Sequence, residues 1–96
     1  MTTKKLTDLA NHVTDCGFTA TVEYPGYLSV RIDQTRAAHF GTSNGHWGAD
    51  LISDYGDAEP LPMAPLDART NVEVVSDAVL SVLRGVRDGL LPARAQ

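Results

Sequence analysis

Residues 18–52 read FTATVEYPGYLSVRIDQTRAAHFGTSNGHWGADLI, and this stretch decides the fold. Turn-forming groups at Pro25-Gly26, Asp33-Gln34-Thr35 and Asn44-Gly45 divide it into four segments, each with apolar and polar residues in alternation. That alternation is the period of a half-buried strand. Asn-Gly between two such segments is the strongest short hairpin signal, because both residues tolerate the positive φ of a type I′ turn.

Turn geometry then sets the register. A two-residue turn at Asn44-Gly45 puts Ser43 opposite His46, Phe40 opposite Ala49 and Ala38 opposite Leu51. Opposed residues share a sheet face, so Thr42 and Trp47 join this apolar side. The other side holds Gly41 with Gly48, His39 with Asp50, and Ala37 with Ile52. In the first hairpin a two-residue loop would shift the register by one and turn half the apolar residues to water. An odd loop, Tyr24-Pro25-Gly26, restores Val22 opposite Leu28 and Phe18 opposite Ile32. It also sets Thr19 by Arg31, Thr21 by Ser29 and Glu23 by Tyr27.

Outside this stretch, Leu6, Leu9, Ala10 and Val13 form the stripe of an amphipathic helix. Gly17 supplies the left-handed residue that ends it, and Phe18 can then touch Val13. Cys16, in the last turn, reads as a small buried filler. At the other end, Val72, Val75, Val79, Val82, Leu83 and Val86 give a broad apolar helix face. Thr70 with Glu73 matches a capping box, and Gly89 and Pro92 close the helix. Gly85 inside it marks a close approach. Between strands and helix lies an acidic, proline-rich connection, residues 53–69, with Leu61, Met63 and Leu66 as anchors. It reads as a strap that carries the chain back across the sheet, with a binding loop as the alternative.

The chain of 96 residues suits one domain, residues 1–96, near the lower size at which a single core suffices. The order helix, four antiparallel strands, helix predicts an α+β two-layer sandwich. The strands form a meander, and both helices pack on its apolar face. A net charge of -4 argues against a general polyanion binder, because nucleic-acid affinity comes chiefly from phosphate neutralisation. One cysteine excludes an internal disulfide and a cysteine-rich zinc site. No signal peptide or membrane-spanning run is evident, so a cytoplasmic protein is the default expectation.

The layout resembles the double-stranded-RNA-binding fold, which runs helix, three strands, helix. Domains of that family carry a lysine cluster at the start of the final helix to hold phosphates. Here those positions read Thr70-Asn71-Val72-Glu73, so the resemblance implies topology without RNA binding. The runs Gly17 to Tyr27 and Phe40 to Asp50 also resemble small uncharacterised α-β-β-β-β-α proteins of actinobacteria and their phages. That resemblance implies small size and an intracellular setting, and names no activity.

The open sheet face carries the candidate site. Register puts His39 beside Asp50 and, if Ala38 and Phe40 point inward, beside Arg31, with Thr19 extending the row. A histidine next to a carboxylate can be tuned as a base, yet no nucleophile is evident and a flat sheet gives no water-excluding pocket. His12, His39 and His46 lack metal-ligand spacing, and no phosphate-cradling glycine loop is present. Tyr24 and Tyr27, at the tip of the first hairpin, are contact candidates, because exposed tyrosines favour interfaces. No catalytic, cofactor or metal residues are assigned. The expectation is a small acidic, non-catalytic module that binds another protein. The alternatives are nucleic-acid binding through Arg31 and His39, then a small enzyme using His39 and Asp50. A homodimer through the open face or a strand edge is also compatible with this layout.

Overall fold

In the computed structural model, which describes residues 3–23 and 26–91, Asn44 and Gly45 have φ of 53° and 82°. Both angles belong to the type I′ turn that the Asn-Gly pair predicts. The turn joins β3 (Arg36–Ser43) to β4 (His46–Ser53), paired from Ser43↔His46 to Arg36↔Ser53. Upstream, β1 (Thr19–Glu23) pairs with β2 (Tyr27–Arg31) through Val22↔Leu28 and Glu23↔Tyr27, as the odd loop requires. Two helices flank the strands, α1 (Thr3–Asp15) and α2 (Val72–Arg87).

The sheet has five strands where the sequence pattern predicts four. The fifth, β5 (Ala58–Leu61), pairs antiparallel with β4 and completes the order β1-β2-β3-β4-β5. It lies inside the connection, where proline and acid hide the strand signal. Pro60 is tolerated because an edge strand can leave one side of its backbone unpaired. Ser53 shapes the intervening turn: its Oγ accepts from the backbone N–H of Tyr55 and Asp57, and its N–H donates to Asp57 O at 2.9 Å. Leu61, opposite Ala49, turns inward and is buried.

Beyond β5 the strap reading holds in a modified form. The chain does not cross the sheet but returns along β4. Trp47 N donates to Leu66 O at 2.9 Å and Ala68 N to Gly45 O at 2.8 Å, with a bridge between His46 and Asp67. Lys5 of α1 donates to Ala68 O at 2.9 Å, tying the strap to the first helix. Met63 and Leu66 pack half-buried against the core.

One core joins both helices to one sheet face. Leu6, Leu9 and Val13 of α1 meet Val75, Val79 and Leu83 of α2 over Leu28, Val30, Phe40 and Leu51. Fully burying a side chain of this size contributes about 1.5–3 kcal/mol, so this face carries most of the driving force. At the end of α1, Phe18 N donates to Val13 O and Gly17 N to Thr14 O, the paired bonds of a Schellman cap. The start of α2 differs from the predicted capping box. Asn71, not Thr70, is the cap, and its side chain accepts from Val74 N at 3.0 Å. Thr70 instead closes a turn onto Asp67 O, leaving the next residue to reach the free N–H groups of the helix. Cys16 also departs from expectation: it is exposed, because the cap turns it away from the core. No helix among the described residues is long and apolar enough to cross a membrane.

Candidate functional site

The face of the sheet away from the helices is organised by the turn between β2 and β3. Asp33 builds that turn, accepting from the backbone N–H of Thr35 and Arg36, each at 2.9 Å, and from Arg36 Nε at 2.9 Å. These bonds stabilise the ionised carboxylate and hold its pKa down to about 2, the Arg36 side chain contributing most. Arg36 N–H and carbonyl face this loop, with Ile32 N donating to Arg36 O at 3.1 Å. A three-residue loop, Asp33 to Thr35, therefore fixes Arg31↔Ala37, Val30↔Ala38 and Ser29↔His39.

This register corrects the expected row. His39 faces Asp50 as predicted, but its other neighbour is Ser29 rather than Arg31. Across the open face one row runs Thr21, Ser29, His39, Asp50, Pro60. The next runs Thr19, Arg31, Ala37, Ile52, Ala58, so Thr19 extends the Arg31 row and not that of His39. The expected order placed His39 one same-face position away from its true partner. Arg31 is engaged elsewhere: Nη2 lies 3.1 Å from Asp54 Oδ2 and donates to Gln34 O at 3.1 Å. It clamps the β4–β5 turn to the β2–β3 turn, aided by Asp54 N donating to Thr35 O at 2.8 Å.

Ser29, His39 and Asp50 stand side by side in an order that could suggest nucleophilic catalysis. No hydrogen bond joins any two of them, whereas an activated nucleophile and its base lie within about 2.6–3.2 Å. Their strands are paired on both sides, which leaves no backbone N–H aimed outward at a developing oxyanion.

A more informative arrangement lies one row away. Tyr27 leans on His39 with ring centroids 4.8 Å apart and planes inclined at 34°. Gly41 and Gly48 are directly opposed on β3 and β4 and present no side chain to this face. Together these residues, with Ser43 and Asp50, border a shallow trough of about 490 Å³ that extends to the sheet end near Leu61. A Cβ at Gly41 would lie 3.4 Å from Tyr27 Cβ, an ordinary contact that the tyrosine already occupies. At Gly48 a Cβ would meet nothing within 4 Å among the described residues, and its φ is not positive. A strand-interior glycine costs roughly 0.5–1 kcal/mol relative to alanine. No packing among the described residues offsets that cost at Gly48; a strand glycine can mark a bulge, a tight bend or a close approach by a ligand or another backbone.

The electrostatics of the trough are one-sided. Burial pushes the His39 imidazole below its usual pKa, and the nearby carboxylates of Asp50 and Glu23 only partly oppose this. The cations of the neighbouring row and turn are committed, Arg31 to Asp54 and Arg36 to Asp33. Of the two predicted tip residues, Tyr27 lines the trough, while Tyr24 lies outside the described residues. The opposition of Gly41 and Gly48 follows from the Asn44-Gly45 turn alone, and as small residues beside the His39 row they leave it accessible.

A second depression of about 560 Å³ lies between α1 and the start of α2 and is bordered by Asp8, His12, Asp15 and Glu73. These side chains are all exposed. No group of three or more His, Cys, Asp or Glu among the described residues is arranged to hold a metal ion.

Neither a protein-family model, nor a curated protein, nor a solved structure matches this chain.

Proposed function

We propose that this chain is a non-catalytic interaction module that binds another protein through its open sheet face, as a regulator or inhibitor of that partner. The trough between Tyr27, His39, Gly41 and Gly48 carries this reading. It combines an aromatic wall with bare backbone, a surface suited to receive a side chain rather than to present one. Nucleic-acid binding draws no support from this face. Arg31 is neutralised by Asp54, and His39 is held toward its uncharged form beside two carboxylates.

Affinity capture from source-cell lysate compares three proteins: wild type, a face variant (Tyr27→Ser with His39→Glu) and a strap variant (Asp57→Asn with Glu59→Gln). Both variants change exposed or half-exposed groups outside the core, so both should fold. Capture by wild type and strap variant, with loss in the face variant, is the expected pattern. Loss in the strap variant with retention in the face variant would move the binding surface to the acidic connection. Steeply salt-dependent capture of nucleic acid would reject the reading altogether.

A further inference from the structure

We infer that the trough on the open face takes an arginine side chain of the partner, its guanidinium lying flat on Gly48 against the Tyr27–His39 pair and directed to Asp50. This rests on the reading of the open face as the binding surface, and adds the chemistry of what is bound.

Four observations converge on that group. The floor is bare backbone, so a flat planar group can reach the sheet at Gly48 without displacing any described residue. The wall is a pair of aromatic rings 4.8 Å apart, a surface on which a guanidinium stacks through both its π-system and its charge. The border carries Asp50, with Glu23 close enough to act on the same histidine, and no cation among the described residues pairs with either carboxylate. The chain as a whole is acidic, with a net charge of -4, which favours a basic partner. Lysine fits less well, because its compact, strongly hydrated ammonium lacks the flat face that this floor and wall accommodate. An apolar side chain would leave Asp50 partly desolvated without a counter-charge.

The test is an NMR titration of the ¹⁵N-labelled protein with the peptide acetyl-Gly-Arg-Gly-amide, beside the same peptide carrying citrulline or lysine. Citrulline keeps the shape of arginine and removes its charge. The arginine peptide should give saturable shifts at the amides of Tyr27, His39, Gly41 and Gly48, and bind at least fivefold more tightly than either control. Asp50→Asn should weaken it at least fivefold. Gly48→Val, whose Cβ meets no described atom within 4 Å and whose branched side chain suits a strand, should keep the fold and remove the shifts. Absence of saturation at tens of millimolar arginine peptide would overturn the inference, as would equal binding of citrulline or unchanged binding to Gly48→Val. The two readings fail separately. Partner capture that depends on Tyr27 and His39 but is indifferent to Gly48→Val keeps the face as the binding surface and removes arginine as its ligand.

Discussion

Tyr27 reaches His39 diagonally between β2 and β3, with ring centroids 4.8 Å apart, because the neighbouring position on β3 is Gly41 and leaves the space open. The contact covers one side of the imidazole, and burial is the leading cause of its lowered pKa. Tyr27→Ala should therefore raise the His39 pKa toward 6.5, measured by following the imidazole resonances against pH. An unchanged or lower value would mean that Tyr27 does not contribute to the burial of His39. Since folding lowers this pKa, the unfolded chain binds the proton more readily. Stability is full above about pH 6.5 and declines as pH falls through the folded value. His39→Gln should flatten that part of the stability profile.

The β3–β4 register depends on positive φ at Asn44 and Gly45. Gly45→Val puts a β-branched residue at φ of 82° and should destabilise the protein by about 1–3 kcal/mol in urea unfolding. Gly45→Asn, which tolerates this region better, should cost less. Equal midpoints for wild type and the valine variant would contradict the type I′ turn.

Acid should loosen the β2–β3 turn before it reaches the core. Asp33 has its pKa lowered to about 2 by Arg36 and by the Thr35 N–H, against 3.8 without the fold. Its stabilisation is present above about pH 4 and disappears as pH falls from there through about 2. Asp33→Ala should lower the urea midpoint at pH 7, and the gap between variant and wild type should narrow across that acid window. A gap that is constant with pH would show that the carboxylate charge is not what holds the turn.

Gly85 lies inside α2, where alanine would ordinarily gain about 1 kcal/mol. Here a Cβ would sit 2.7 Å from Leu91 Cδ1 and 2.9 Å from Cγ. Leu91 is held there by the helix end, with Leu90 N and Leu91 N both donating to Gly85 O at 2.8 and 3.1 Å. Gly85→Ala alone should yield little or no gain. Paired with Leu91→Ala, it should recover most of that 1 kcal/mol relative to Leu91→Ala alone. Additive effects of the two substitutions would show that the contact carries no energy.

The sequence by itself determined those features whose information is local. Asn44-Gly45 specified one hairpin, and the parity of the apolar residues around Pro25-Gly26 required the odd loop that the β1–β2 pairing shows. The stripes Leu6 to Val13 and Val72 to Val86 specified two helices, and Gly17 the cap that ends the first. Tertiary structure decided the rest. Ala58–Leu61 became a strand because β4 offered a free edge and the core a place for Leu61, and neither is visible in a run dominated by acid and proline. The sequence pattern placed the cap of α2 at Thr70, and the turn onto Asp67 moved it to Asn71. The register across Asp33-Gln34-Thr35 gave His39 the neighbour Ser29, while Arg31 went to Asp54, which is distant in sequence. Periodicity and turn chemistry are read within about ten residues of chain, whereas which charge meets which carboxylate depends on how whole strands are brought side by side.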